Sequence, residues 1–180
     1  MQTYISLLRG INVSGKNKIL MADLKAIYEN VGLLEVQTYI QSGNVVFKAK
    51  NIDNQIISKE LSDAIFKKYG FQISVFVEST EEIERLMNLN PVANMEDIDP
   101  KKFFFSLLSQ TPKQDLQEKL AQTSYLPDEY YIVENCIFWN VAIASKESKL
   151  SNNFFESKLK VIATTRNWNT MLTLQKLSKS

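Results

Sequence analysis

The stretch Thr38-Tyr-Ile-Gln-Ser-Gly-Asn-Val-Val-Phe47 decides how the first half of the chain folds. Two runs with strand composition, residues 36–40 and 44–48, flank the short polar segment Gln41-Ser-Gly43. Glycine supplies the positive φ that a tight turn requires, and β-branched and aromatic residues favour pleated strands. The stretch therefore predicts a β-hairpin.

One strand and one helix are predicted before the hairpin, and one helix and one strand after it. Residues 2–8 have strand composition, and residues 21–31 carry apolar side chains at helical spacing. After the hairpin, a helix that ends at Gly70 is followed by the alternating strand 71–77. This β-α-β-β-α-β order is that of the ferredoxin-like (split βαβ) fold, in which two helices cover one face of a four-stranded antiparallel sheet.

The second half of the chain is expected to repeat this scheme. Ser79-Thr-Glu-Glu82 predicts a third helix through its capping box, and the proline-rich and acidic residues 91–101 predict a linker. The later patterns predict the following elements: a strand at 103–108, a helix capped by Thr111, a hairpin from 129–134 and 137–142 with Asn135-Cys136 in its turn, and helices at 150–159 and 167–177. We expect an α+β protein of two tandem ferredoxin-like subdomains with antiparallel sheets: residues 1–90, which include the extra helix, and residues 102–180.

Composition excludes several kinds of chemistry. The 180 residues include no histidine and a single cysteine, Cys136. Without histidine, the usual catalytic triads and the histidine-bearing metal sites cannot be assembled. With one cysteine there is no intrachain disulfide, which favours a reducing, cytoplasmic compartment. The 21 cations and 20 acids give no basic footprint for nucleic acid, and no segment predicts membrane insertion.

The loop after the first strand has the composition of an anion-binding loop. The first 20 residues contain Arg9, Lys16 and Lys18 and no acid. Residues 10–16 also match the glycine and lysine spacing of a phosphate loop, but Asn17 stands where the Mg²⁺-binding hydroxyl belongs. The following helix is predicted to begin only at Met21. This argues against a nucleotide-hydrolysing phosphate loop and favours a looser backbone nest for an anion.

Two further polar clusters complete the candidate site. One is the hairpin turn, and the other is Thr164-Thr-Arg-Asn-Trp-Asn-Thr170, where a threonine is expected to cap the last helix and leave free N–H groups beside Arg166. The candidate ligand-binding residues are Arg9, Asn12, Lys16, Gln41, Asn44, Arg166 and Asn167. We expect no metal and no organic cofactor, and the sequence contains no recognisable catalytic constellation.

Three motifs together resemble domain-of-unknown-function family 1697, which is found widely in bacteria. They are Leu7-Leu-Arg-Gly-Ile-Asn-Val-Ser-Gly-Lys-Asn-Lys18, Thr38-Tyr-Ile-Gln-Ser-Gly-Asn-Val-Val-Phe47 and Thr164-Thr-Arg-Asn-Trp-Asn-Thr170. Ser14 and Leu20 depart from the family pattern, where glycine and proline are common. The resemblance implies a cytoplasmic α+β protein of two ferredoxin-like subdomains, and it implies no activity, cofactor or catalytic residue.

Three classes of function follow from these observations. The first is binding of a small anionic, phosphate-bearing ligand at a polar cleft between the subdomains. The second is a structural or protein-interaction module without a ligand, in which the asparagines and glycines only satisfy buried backbone. The third, less favoured, is RNA binding through exposed aromatic side chains of a sheet. The aromatic candidates are Phe103 to Phe105, Tyr130, Tyr131, Phe138 and Trp139.

Overall fold

The chain divides into two compact units, residues 1–85 with 173–180 and residues 86–172. The structure, a computed structural model, describes residues 1–50, 53–92, 98–142 and 148–180. Part of the predicted linker, residues 93–97, lies outside the described residues. The two units are described separately below.

The first unit has the predicted order of elements. Its sheet has the strand order β2-β3-β1-β4, and β1 pairs antiparallel with both β3 and β4. The predicted split βαβ arrangement is therefore confirmed for this half of the chain. The elements are β1 (Gln2–Leu8), α1 (Met21–Asn30), β2 (Leu34–Tyr39), β3 (Asn44–Ala49), α2 (Asn54–Tyr69), β4 (Val75–Ser79) and α3 (Thr80–Asn88).

Alternate side chains along the central strands, β1 and β3, form the core of this unit. Tyr4 of β1 lies opposite Phe47 of β3, and their rings stack with centroids 5.6 Å apart. Tyr28 of α1 meets the edge of the Phe47 ring, and the buried Ser6 and Tyr28 hydroxyls hydrogen-bond each other. Burial of three aromatic rings at one point accounts for the docking of α1 on the sheet.

The second unit repeats the arrangement of the first. Its sheet has the order β6-β7-β5-β8, with antiparallel pairing throughout. Both sheets thus place the strand that opens the motif between its third and fourth strands, as the split βαβ order requires. The elements are β5 (Phe103–Leu108), α4 (Gln114–Ala121), β6 (Glu129–Val133), β7 (Cys136–Asn140), α5 (Asn152–Leu159) and β8 (Ala163–Asn167). The last helix, α6 (Trp168–Leu177), begins in this unit, and its residues from Thr173 onward are counted with the first unit.

Aromatic side chains dominate the core of the second unit. The Trp139 ring stacks on Phe104 at 4.4 Å and meets Phe155 of α5 edge-on at 5.6 Å. Its indole N–H donates to the Ser106 hydroxyl at 2.9 Å, so the only polar atom of the ring is satisfied inside the core. Phe103, Phe105 and Trp139 are buried, which leaves them unavailable for stacking on RNA bases.

The predictions for the start of α4 and for the turn before β7 are wrong. Helix α4 begins at Gln114, and its N-cap residue is Lys113, which makes no side-chain capping bond, so Thr111 does not cap it. Cys136 belongs to strand β7 and is fully buried instead of lying in the turn. The turn is Glu134-Asn135, with φ of +53° at Glu134.

The first hairpin turn approaches the end of β1 closely. The Leu8 N–H donates to the Gly43 carbonyl at 2.8 Å. A Cβ atom on Gly43, whose φ is +75°, would lie 2.7 Å from Leu8 Cβ and 2.8 Å from Ile11 Cδ1. Both neighbours are buried, so neither can move without disturbing the core. Glycine is required here for space as well as for φ.

We predict that Gly43→Ala destabilises the protein more than Gly70→Ala. Gly70 has the same φ of +75°, but nothing lies within 4 Å of the corresponding Cβ position. The conformational penalty common to both variants is about 1–2 kcal/mol, and the overlap at Gly43 should add about 1–3 kcal/mol. Urea denaturation measures both free energies of unfolding. Equal losses for the two variants would contradict the close approach.

Candidate functional site

The loop between β1 and α1 folds back on itself as a small reverse turn. The Lys16 N–H donates to the Val13 carbonyl at 2.9 Å, and the two central residues, Ser14 and Gly15, have φ of +50° and +77°. Positive φ at both central positions defines a type I′ turn. The phosphate-loop spacing of the sequence therefore produces a hairpin turn, because the lysine closes the turn and does not open a helix.

The side chain of Asn12 holds this loop in place. Its Nδ2 donates to the Ile19 carbonyl at 3.0 Å and to the Gln41 carbonyl at 2.8 Å. Its Oδ1 accepts from the Ile19 N–H at 2.9 Å. Three hydrogen bonds from one amide thus join the start of the loop to its end and to the hairpin turn.

A second asparagine closes the base of the turn. Asn17 Nδ2 donates to the Gly10 carbonyl at 3.1 Å, and the Asn17 carbonyl accepts from the Asn12 N–H at 3.2 Å. Both asparagines have positive φ, +55° and +47°, a conformation that asparagine adopts more readily than most other residues. Asparagine is thus favoured at these positions by its backbone preference and by the bonds of its side chain.

The hairpin turn uses its own asparagine in the same way. Asn44 is fully buried, and its Nδ2 donates to the Tyr39 carbonyl at 3.1 Å and to the Ser42 hydroxyl at 2.9 Å. Gln41 is exposed, and its main-chain carbonyl receives the bond from Asn12. Of the five candidates in the first unit, Asn12 and Gln41 are therefore in direct contact.

The cations of the loop lie at its outer side. Lys16 and Lys18 are exposed, and neither makes an ion pair within the part of the chain that the structure describes. Arg9 is half-buried directly after β1, and its backbone N–H donates to the Ser74 carbonyl at 2.9 Å. The loop thus combines internally bonded amides with outward positive charge.

Arg166 in the second unit belongs to strand β8, opposite Phe105 of β5. Its guanidinium is buried and donates from Nη1 to the Thr164 hydroxyl at 3.0 Å and to the Thr165 carbonyl at 2.8 Å. Desolvation by burial lowers the pKa of Arg166 to about 10. Arg166 therefore still carries its positive charge at neutral pH.

Asn167 caps the last helix, in place of the threonine that the sequence predicts. Its Oδ1 accepts from the Thr170 N–H at 2.9 Å. Thr164 and Thr165 instead belong to strand β8 and pair with β5. The strand is longer than its apolar composition indicates, since its last four residues, Thr164 to Asn167, are all polar. The carboxamide of Asn167 is engaged in this cap.

The comparisons with known proteins assign the family. Residues 1–138 match the family described as "Protein of unknown function (DUF1697)". The chain belongs to this family. Among solved structures, it is similar to the conserved bacterial protein SP0830 from Streptococcus pneumoniae, with 26% sequence identity over 98% of each chain and a TM-score of 0.70. No curated protein matches the chain significantly.

Membership in this family of unknown function assigns no ligand or reaction. No helix in the described ranges combines the length and apolar character that crossing a bilayer requires. Within the same ranges, no group of three or more Cys, Asp or Glu side chains is placed to hold a metal ion. The sequence predicted a backbone nest for an anion in this loop, but it did not place the nest at the amides of Ser14 and Gly15, for which only the Ser-Gly pair gave a signal.

We predict that Asn12→Asp destabilises the protein by about 2–3 kcal/mol, because a carboxylate would face two carbonyl oxygens that now accept from Nδ2. Asn17→Asp is the matched control, since Asn17 also has positive φ but donates a single bond. Its cost should be about 1 kcal/mol. Thermal or urea unfolding at pH 7 compares the two variants, and an equal or smaller loss for Asn12→Asp would contradict the role given to its amide.

Proposed function

We propose that this protein binds a small anionic ligand, such as a phosphate-bearing metabolite, at the tip of the loop between β1 and α1. One observation carries the proposal. The side-chain amides of the loop asparagines already hydrogen-bond to main-chain carbonyls of the loop. Lys16 and Lys18, in contrast, are exposed and make no ion pair among the described residues. These hydrogen bonds hold the backbone of the loop in one conformation, and the exposed lysines add positive charge to it.

The backbone of the turn adds donors to this charge. The N–H groups of Ser14 and Gly15 donate no hydrogen bond within the described part of the chain. In a type I′ turn these two groups are the central amides, and successive backbone N–H groups in a turn bind anions well. Two amides and the Lys16 ammonium therefore supply the kinds of donor that phosphate oxygens accept.

The other candidate residues of the first unit have supporting roles in this proposal. Asn12 and Asn44 position the backbone, because their amide donors are bonded to main-chain carbonyls. Arg9 adds charge at the base of the loop, and the exposed Gln41 side chain offers an amide to the ligand. The roles of Arg166 and Asn167 in binding the same ligand stay predictions, supported by the positive charge of Arg166.

A structural or protein-interaction module without a ligand is the competing function, and the asparagine bonds favour it. These bonds account for the asparagines and glycines of both turns without any ligand. They do not account for two exposed lysines in an acid-free segment. The lysines are therefore the residues that distinguish the two functions.

We predict that inorganic pyrophosphate binds the wild-type chain and that Lys16→Ala weakens this binding about three- to tenfold, as expected for one charge-assisted hydrogen bond. Isothermal titration calorimetry at low ionic strength measures the dissociation constant, which should rise with added salt. Lys67→Ala is the control, because Lys67 is also exposed in the first unit but lies on helix α2.

Arg166→Lys in the same titration tests the contribution of the second unit, since lysine keeps the charge and loses the planar donor set. If pyrophosphate does not bind, or if Lys16→Ala and Lys67→Ala bind it as the wild type does, the ligand-binding function is rejected. The module without a ligand then stands as the better account.

A further inference from the structure

A second cationic surface lies entirely within the second unit. Helices α4 and α5 and the segments that follow them line a cavity of about 420 Å³ that is open to solvent. Three lysines line it: Lys119 in the last turn of α4, Lys158 in the last turn of α5, and Lys160, which follows α5 with φ of +55°. The volume is in the range that small-molecule ligands occupy.

No acid of the described residues pairs with these lysines. Among the described residues no carboxylate lines the cavity, and none of the three lysines makes an ion pair. Two of the acids on the same helices hydrogen-bond to other groups. Glu118 accepts from the Gln114 side chain at 3.1 Å, and Glu156 accepts from the Ala163 N–H at 2.8 Å. Three like charges around one cavity favour an anion carrying more than one negative charge.

The rest of the lining is suited to an organic portion of the ligand. Leu116 and the buried Leu120 contribute apolar surface from α4. Tyr125 contributes an aromatic ring that is packed edge-on against Phe154 at 5.3 Å, which fixes its orientation. A fixed ring beside leucines accepts a flat apolar group, and the hydroxyl of Ser157 adds a hydrogen-bonding group.

We propose that this cavity binds a small organic anion that carries phosphate groups and an aromatic ring, which is the chemistry of a nucleotide. The lysines bind the phosphates, and Leu116, Leu120 and Tyr125 contact the ring. The site does not depend on the loop between β1 and α1, because all of its lining residues belong to the second unit.

ADP without metal is the probe, titrated calorimetrically into the full chain. We expect the double variant Lys119→Ala/Lys158→Ala to bind ADP at least about tenfold more weakly than the chain that retains these two lysines. Lys113→Ala, an exposed lysine directly before α4, should leave the affinity unchanged. All titrations are made in a Lys16→Ala/Lys18→Ala background, which removes the lysines of the loop, so failure of this site is distinguishable from failure of the loop.

Adenosine and pyrophosphate separate the two parts of the ligand. Each should bind at this cavity at least about tenfold more weakly than ADP, because adenosine lacks the contacts of the phosphates and pyrophosphate lacks the contacts of the ring. Absence of ADP binding in this background, or binding that Lys119→Ala/Lys158→Ala leaves unaffected, overturns the site. In the same background, equal affinity for ADP and pyrophosphate overturns the aromatic part, and equal affinity for ADP and adenosine overturns the phosphate part.

Discussion

The side-chain amide of Asn12 is the interaction on which the polar end of the first unit depends. It bonds both main-chain groups of Ile19 and the carbonyl of Gln41. Without it, the loop would have to satisfy its backbone with water, and the hairpin turn would lose a polar contact with the loop. The close approach of Gly43 to Leu8 and Ile11 brings the two segments near enough for this bond to form.

This constraint divides the polar residues of the loop into two groups with different roles. Asparagine provides a donor and an acceptor on a short side chain and tolerates positive φ, so it can complete an irregular backbone from inside. Lysine cannot do this, because it has no acceptor and a long flexible chain. Asn12 and Asn17 accordingly bond to the loop, while Lys16 and Lys18 lie at its surface. The set of residues that resembles a ligand site therefore includes asparagines that hold the loop in its conformation.

The sequence predicted the fold well where periodicity and turn chemistry agreed. Glycine in the first hairpin turn and the apolar spacing of α1 led to the β-α-β-β-α-β order, which the structure confirms. The last helix lies where the sequence predicts it, but the motif at 164–170 gave the wrong cap, because its threonines occupy strand β8 through pairing with β5, a contact distant in sequence. Thr111-Pro112 likewise had the composition of a helix start, but α4 begins two residues after the proline.

The candidate site was predictable in its residue types and not in its geometry. Spacing alone could not show that the glycine and lysine pattern closes a type I′ turn, since this depends on the φ values of Ser14 and Gly15. Spacing also could not show that the Asn12 and Asn44 side-chain amides already donate hydrogen bonds. They donate to main-chain carbonyls, which every residue type has, so no sequence pattern marks the acceptors. The lysine cavity of the second unit combines residues from two helices and left no motif.

The central claim is that a loop fixed by asparagine side chains presents its turn to an anion. Backbone amide chemical shifts of the ¹⁵N-labelled chain, followed by NMR during titration with inorganic pyrophosphate, test it most directly. The amides of Ser14, Gly15 and Lys16 should shift most, and the Asn12 side-chain amide should stay unchanged. Unchanged turn amides, or a shifted Asn12 side chain without them, would contradict it.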